Sequence, residues 1–123
     1  MKEISYEINE EFGSHVIEER NNTVVMVRRI SWNGHDEKLD IRKYVYTEDG
    51  EKMGKGIGLT DEGTNELVSK LISLGYGTTE SIIDQLAERT GSYDELINAV
   101  TAVKNKTTEE SDEYYNPKEL LTA

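Results

Sequence analysis

Short runs of β-branched and aromatic residues alternate with polar positions in the first half of the chain, which is typical of β-strands. Four such runs lie at 4–18, 23–32, 39–47 and 53–59. The breaks between them contain Asn, Asp and Gly, residue types that favour tight turns. Such short connections predict an antiparallel sheet in which consecutive strands pair.

One glycine interrupts the first of these runs. Gly13 lies between the apolar residues Ile8 and Val16, and a glycine inside a strand commonly marks a bend or a bulge. The run at 4–18 is therefore either one strongly curved strand or two short strands.

After Thr60 the apolar residues recur every third or fourth position, which predicts helices. Thr60 is the expected N-cap of the first helix, and Gly75 and Gly77 end it. Two further helices are expected at about 79–89 and 93–104, the second capped by Ser92. The apolar stripe of the first helix consists of Leu67, Val68, Leu71, Ile72 and Leu74.

Composition excludes several classes of protein. The chain of 123 residues suits one main domain, and it has no cysteine, so disulfides and cysteine-ligated metal sites are excluded. Its 25 acidic and 14 basic residues argue against indiscriminate binding to nucleic acid or anionic membranes. No apolar stretch approaches the length of about 18 residues that a membrane span needs, nor is there a signal-peptide core. We expect a cytoplasmic protein without membrane contact.

The charge is unevenly distributed along the chain. Residues 22–60 carry seven basic and six acidic side chains, whereas residues 78–123 carry four basic and ten acidic ones. The strands are therefore the region that can present a basic face, because acidic side chains repel phosphate. We predict three parts: a sheet-and-helix domain at 1–77, a helical extension at 78–105 and an acidic flexible tail at 106–123.

Strand alternation predicts one face of the third strand that mixes cations with aromatic rings. Asp40, Arg42, Tyr44 and Tyr46 point to one side, and Leu39, Ile41, Lys43 and Val45 to the other. A mixed face suits single-stranded nucleic acid, because cations neutralise phosphates while rings stack on unpaired bases, at about 1 to 3 kcal/mol per base. The same pattern also fits ordinary half-buried sheet residues with solvated cations.

Enzyme chemistry has no positive support in the sequence. The glycines at 54–58 lack the spacing of a phosphate-binding loop, and they are better explained by a strand that bends and allows close approach. The acids around His35 lack the spacing of zinc or calcium ligands. Neither histidine has a sequence-local nucleophile or partner that suggests a catalytic triad. We predict no enzyme activity, no metal and no cofactor.

Residues 31–60 combine several features in a fixed order. An aromatic residue, Trp32, precedes a turn; the next strand contains Asp-Ile-Arg at 40–42; and Lys-Gly-Ile-x-Leu at 55–59 leads into the amphipathic helix. This pattern resembles the C-terminal domain of the transcriptional coactivator called positive cofactor four, and more closely its small bacterial YdbC-like relatives. The resemblance covers about residues 2–76.

The resemblance implies a fold and a mode of binding. The expected fold is α+β, with a strongly curved four-stranded antiparallel sheet followed by an amphipathic helix, in a homodimer. The two C-terminal helices lie outside the resemblance. Members of the family bind single-stranded DNA with little sequence preference, through phosphate contacts and base stacking.

The resemblance also implies roles for individual residues. Trp32 matches a stacking aromatic residue, and Tyr44 lies at or next to an aromatic contact. Val45 stands where the eukaryotic coactivator has a tryptophan. The cations that match contacts to the DNA backbone are Lys38, Arg42 and Lys55. Arg28 and Lys52 are added to them because of the local charge and the side of the sheet that they are expected to face.

We also expect a structural role for the apolar stripe of the helix that follows Thr60. We expect Leu67, Val68, Leu71 and Ile72 to cover the concave apolar face of the sheet and to contribute to the dimer interface. The DNA contacts should then lie on the opposite surface or its rim.

Two functions follow from these observations. The first is sequence-nonspecific binding of single-stranded DNA, with RNA left open, in transcription or in DNA replication and repair at the nucleoid. The alternative is a protein-interaction adaptor that uses the acidic C-terminal helices and tail, with DNA binding weak or lost. Replacing Trp32 and Arg42 separates the two, because only the first function depends on them.

Overall fold

The computed structural model describes residues 4–110. It shows an α+β chain in which five strands precede three helices within these residues. The chain divides into two compact units, Met1–Leu74 and Gly75–Ala123. The predicted division into three parts stays a prediction, and positions 111–123 of the expected tail lie outside the described residues.

The first unit is a curled antiparallel sheet followed by one helix. Its elements are β1 (Tyr6–Ile8), β2 (His15–Arg20), β3 (Thr23–Trp32), β4 (Lys38–Thr47), β5 (Gly50–Leu59) and α1 (Asp61–Ser73). β3 pairs with β4, and β4 with β5, while β1 and β2 pair one after the other with the free edge of β3. The sheet is thus four strands wide, which confirms the predicted fold class.

The first apolar run forms two short strands, one of the two options left open by the sequence. Gly13 lies between them with φ +88°, a conformation that L side chains rarely adopt. The predicted turns are also present, with positive φ at Asn21 (56°) and Asn33 (51°). Local turn residues therefore determine where each strand ends.

One face of the sheet is buried by its own curvature. Alternate residues of β3 are buried, as are Asp40 and Tyr44, which lie across from them on β4. In the described residues of this unit α1 packs only against β4 and β5, so α1 does not cover β3. We call this surface the inner face; its residues on β3 and β4 are Val24, Met26, Arg28, Ile30, Trp32, Lys38, Asp40, Arg42 and Tyr44.

The polarity of the two faces is opposite to the sequence expectation. Leu39, Ile41 and Val45 share a face as predicted, but they lie on the outside of the curl and are half-buried. The mixed cationic and aromatic face is the inner one. Buried polar groups are tolerated when they are paired, and here each inner arginine has a carboxylate partner. In the described residues α1 packs against β4 and β5, and its expected cover of a concave apolar face stays a prediction.

Helix α1 presents its apolar stripe to solvent. The helix begins after Thr60, whose Oγ1 accepts a hydrogen bond from the Gly63 N–H at 3.1 Å, which confirms the predicted N-cap. No residue of α1 is buried, and Val68, Leu71 and Ile72 are 51%, 38% and 48% exposed. A contiguous apolar stripe of this kind commonly marks an interaction surface.

The second unit contains two packed helices, α2 (Thr79–Thr90) and α3 (Tyr93–Glu110). The Ser92 hydroxyl accepts a hydrogen bond from the Glu95 N–H at 3.1 Å, as its predicted capping role requires. α3 continues past the expected end at 104, because the polar residues that follow include neither Gly nor Pro to stop it. None of the helices in residues 4–110 has the length and apolar character that crossing a membrane would require.

Candidate nucleic-acid interface

An open groove of about 740 Å³ lies on the inner face, near the end of β3 that carries Trp32. Strands β1, β3, β4 and β5 all contribute to it. Its lining residues are Ile4, Tyr6, Trp32, Asn33, Lys38, Arg42, Met53, Gly54 and Gly58. Three residues that the sequence analysis singled out, Trp32, Lys38 and Arg42, are therefore brought together.

Two aromatic rings lie side by side in this groove. Tyr6 on β1 is the cross-strand partner of Trp32 on β3, and their ring centroids are 5.4 Å apart at an interplanar angle of 44°. Trp32 is half-buried, whereas Tyr6 is 46% exposed. Sequence reasoning missed Tyr6, because nothing local shows that β1 pairs with the far end of β3.

Arg42 is held in a fixed position against Trp32. Its guanidinium carbon lies 4.9 Å from the centroid of the indole ring, within the range of a cation–π contact. Nε and Nη2 donate to the two carboxylate oxygens of Asp40 at 2.9 and 3.0 Å, and Nη1 donates to the Gly54 carbonyl at 3.0 Å. The hydrogen bond to Asp40 raises the pKa of Arg42 above its ordinary value. Three of the five N–H groups of the guanidinium thus donate hydrogen bonds within the protein.

A second arginine–aromatic pair lies further along the same face. The Arg28 guanidinium is 4.5 Å from the ring centroid of Tyr44, donates to Ser14 Oγ at 2.7 Å, and forms an ion pair with Glu51 at 3.1 Å. Tyr44 is 0% exposed, and burial raises the pKa of its hydroxyl. Arg28 and Tyr44 therefore lie inside the folded sheet rather than on a surface open to a ligand.

The three lysines predicted from the sequence to contact nucleic acid are exposed to solvent, unlike Arg28 and Tyr44. Lys38, Lys52 and Lys55 are exposed, and only Lys38 lines the groove. The ion pairs found in the described residues use Arg28, Arg29, Arg42 and Lys70, and none uses these three lysines. Their ammonium groups are available to a phosphate.

Glycines allow β5 to pass close to Arg42. A Cβ at Gly56 would lie 2.5 Å from the Ile41 carbonyl oxygen and 2.6 Å from Arg42 Cβ, so no side chain fits there. The pairing of β4 with β5 shifts register between Arg42 and Tyr44, next to the Gly54 carbonyl that accepts from Arg42. The close approach expected at these glycines is thus observed, and it accommodates the Arg42 side chain.

Comparison with known proteins supports the family resemblance. Residues 17–70 match the family model described as Transcriptional Coactivator p15 (PC4), which confirms the resemblance seen in the sequence. The matched segment includes every residue predicted to contact nucleic acid, but not Tyr6, α2 or α3.

The chain is also similar in sequence to a bacterial protein. An uncharacterized protein of Treponema pallidum (strain Nichols) is 40% identical over 55 residues, which are 45% of this chain and 61% of that protein. The chain therefore spans less than two thirds of the length of this relative.

Proposed function

We propose that this relative of the PC4 coactivators binds single-stranded DNA in the groove of its inner face, without catalysing a reaction. The observation that carries the proposal is the convergence of Trp32, Tyr6 and Lys38 in one open groove. The family is known for single-stranded DNA binding and transcription coactivation. Aromatic rings beside a cation are the usual means of holding unpaired bases and their phosphates.

The contacts divide into two kinds. Trp32 and Tyr6 stack on bases, and Lys38, the exposed lysine that lines the groove, neutralises a phosphate. Lys52 pairs with Val45 on the outer face and Lys55 does not line the groove, so their phosphate contacts stay predictions. Stacking needs an exposed base face, which a duplex does not offer, so the groove favours single strands. Every base has such a face, so binding has little sequence preference. Single-stranded RNA satisfies the same contacts and is the second ligand to test.

A homodimer is part of the proposal. The stripe of α1 is exposed, and apolar residues of the outer face, such as Ile41 and Val45, are only half-buried in one chain. A second copy of the chain supplies an apolar surface of the same kind, as closed two-fold dimers do. Two grooves in one particle increase the affinity for a long strand, because the second contact is intramolecular.

The cellular setting follows from the ligand. Single strands arise in transcription, replication and repair, so we place the protein in the cytoplasm at the nucleoid. The binding of a protein partner by residues 78–123 stays a prediction.

Fluorescence anisotropy of a labelled single strand of about 20 nucleotides tests the proposed function. With at least one phosphate, at Lys38, log affinity should fall by at least about 0.7 per tenfold rise in salt. Lys38→Gln should lower this slope by about 0.7. Lys70→Gln, which changes an exposed lysine of α1, serves as the control and should leave the slope unchanged. Salt-independent affinity, or equal competition by unlabelled duplex, would contradict the proposal.

A further inference from the structure

The resemblance assigns Arg42 to the DNA backbone, but its surroundings leave little room for that role. Three of the five guanidinium N–H groups already donate hydrogen bonds, two of them to Asp40 and one to the Gly54 carbonyl, and the bidentate pair fixes the guanidinium on Asp40. The Arg42 side chain is 16% exposed, and the Asp40 side chain is 1% exposed. Arg42 therefore differs from the exposed lysines in both partners and accessibility.

A phosphate at Arg42 would also meet the Asp40 carboxylate. If Arg42 turned towards a phosphate, a buried carboxylate would lose its partner, which is strongly destabilising. If Arg42 stayed in place, the phosphate would lie near a carboxylate of the same charge sign. Both arrangements are unfavourable, whereas Lys38 is exposed and takes part in none of the ion pairs found in the described residues.

The contact that Arg42 does make is with the ring expected to bind bases. Its planar guanidinium lies 4.9 Å from the Trp32 centroid, while Tyr6 flanks the same indole from β1. The bidentate bond to Asp40 fixes the plane of the guanidinium. A ring held in its binding position loses less conformational entropy when the ligand arrives.

We infer that Asp40 and Arg42 are positioning residues, which hold the Trp32 ring as a preformed stacking platform and do not bind phosphate. We call the contact of Arg42, held by Asp40, with the Trp32 ring the clamp. The role of the clamp in binding rests on the proposed function, but the clamp itself is a property of the free protein. Trp32 is the only tryptophan of the chain, so its fluorescence reports on the clamp directly.

Asp40→Asn is the first test. The amide keeps the shape of the carboxylate but removes the charge that orients Arg42. In the free protein we expect red-shifted Trp32 emission and stronger quenching by acrylamide. Affinity for the labelled single strand should fall about tenfold, which corresponds to part of one stacked base. The salt slope should stay at the wild-type value.

Glu51→Gln is the matched control. It removes the carboxylate partner of the other stacked arginine, Arg28, which lies over Tyr44. Trp32 emission in this variant should equal that of the wild type. Arg42→Lys is the second variant, because it keeps the charge and loses the flat bidentate group; it should behave as Asp40→Asn does.

A direct phosphate contact predicts a different result. If Arg42 leaves Asp40 for a phosphate, Asp40→Asn should bind more tightly and with a steeper salt slope, and Arg42→Lys should keep most of the affinity. Either result, or wild-type Trp32 emission in both variants, would overturn the inference. If Asp40→Asn does not fold, Arg42→Lys decides alone. If the wild type binds no single strand, the proposed function fails, and the emission of the variants still tests the clamp.

Discussion

Replacing Trp32 by alanine should lower the affinity for single-stranded DNA by about 10- to 100-fold. The indole lies in the groove next to Tyr6 and Arg42 and is the larger of the two aromatic rings that line it. Loss of one stacked base costs about 1 to 3 kcal/mol, and 1.4 kcal/mol corresponds to tenfold in affinity. Anisotropy titration at a fixed salt concentration measures the change.

Tyr76→Ala provides the comparison for this variant, because Tyr76 is an exposed tyrosine of the second unit and does not line the groove. Its affinity should match that of the wild type, and circular dichroism should show that both variants fold. Wild-type affinity in Trp32→Ala would place the binding site elsewhere. The adaptor function predicts that same result, since it does not depend on the groove.

Replacing Ile72 by lysine should convert the proposed dimer into single chains. Ile72 is 48% exposed in one chain, so a lysine fits there without disturbing the fold, and a cation near a helix C-terminus is favourable. In a dimer that buries the stripe, the substitution removes the burial of the Ile72 side chain, which is worth about 1.5 to 3 kcal/mol, and it places a charge in the interface. The dimer dissociation constant should rise at least about 100-fold, which is about 2.7 kcal/mol.

Sedimentation equilibrium measures this directly. The wild type should sediment at twice the chain mass of 14.0 kDa, and Ile72→Lys at that mass. Ser69→Lys adds the same charge to an exposed position off the stripe, and it should remain dimeric. A wild type that sediments as a single chain at high concentration would contradict the proposed dimer.

Local signals in the sequence predict most of the fold. Asn21 and Asn33 adopt the left-handed conformation expected of turn residues, and Thr60 and Ser92 cap the helices that they precede. These features depend on neighbouring residues alone. Strand alternation likewise places Leu39 and Arg42 on opposite faces.

Curvature and distant pairing limit what the sequence can predict about the site. Alternation separates the two faces but does not show which one the curl encloses, so the mixed face was expected on the outside. The burial of Arg28 and Tyr44 follows from that curvature and from the pairing of Arg28 with Glu51. Tyr6 reaches Trp32 through pairing across 26 positions, beyond the reach of any local pattern.

The most direct test of the inner face as the binding site is the fluorescence of Trp32 during titration with unlabelled single-stranded DNA. Because it is the only tryptophan, any change in emission reports on the groove. We predict saturable quenching by single strands, with a midpoint that matches the anisotropy titration, and little quenching by duplex. Saturable binding by anisotropy with unchanged Trp32 emission would contradict binding in this groove.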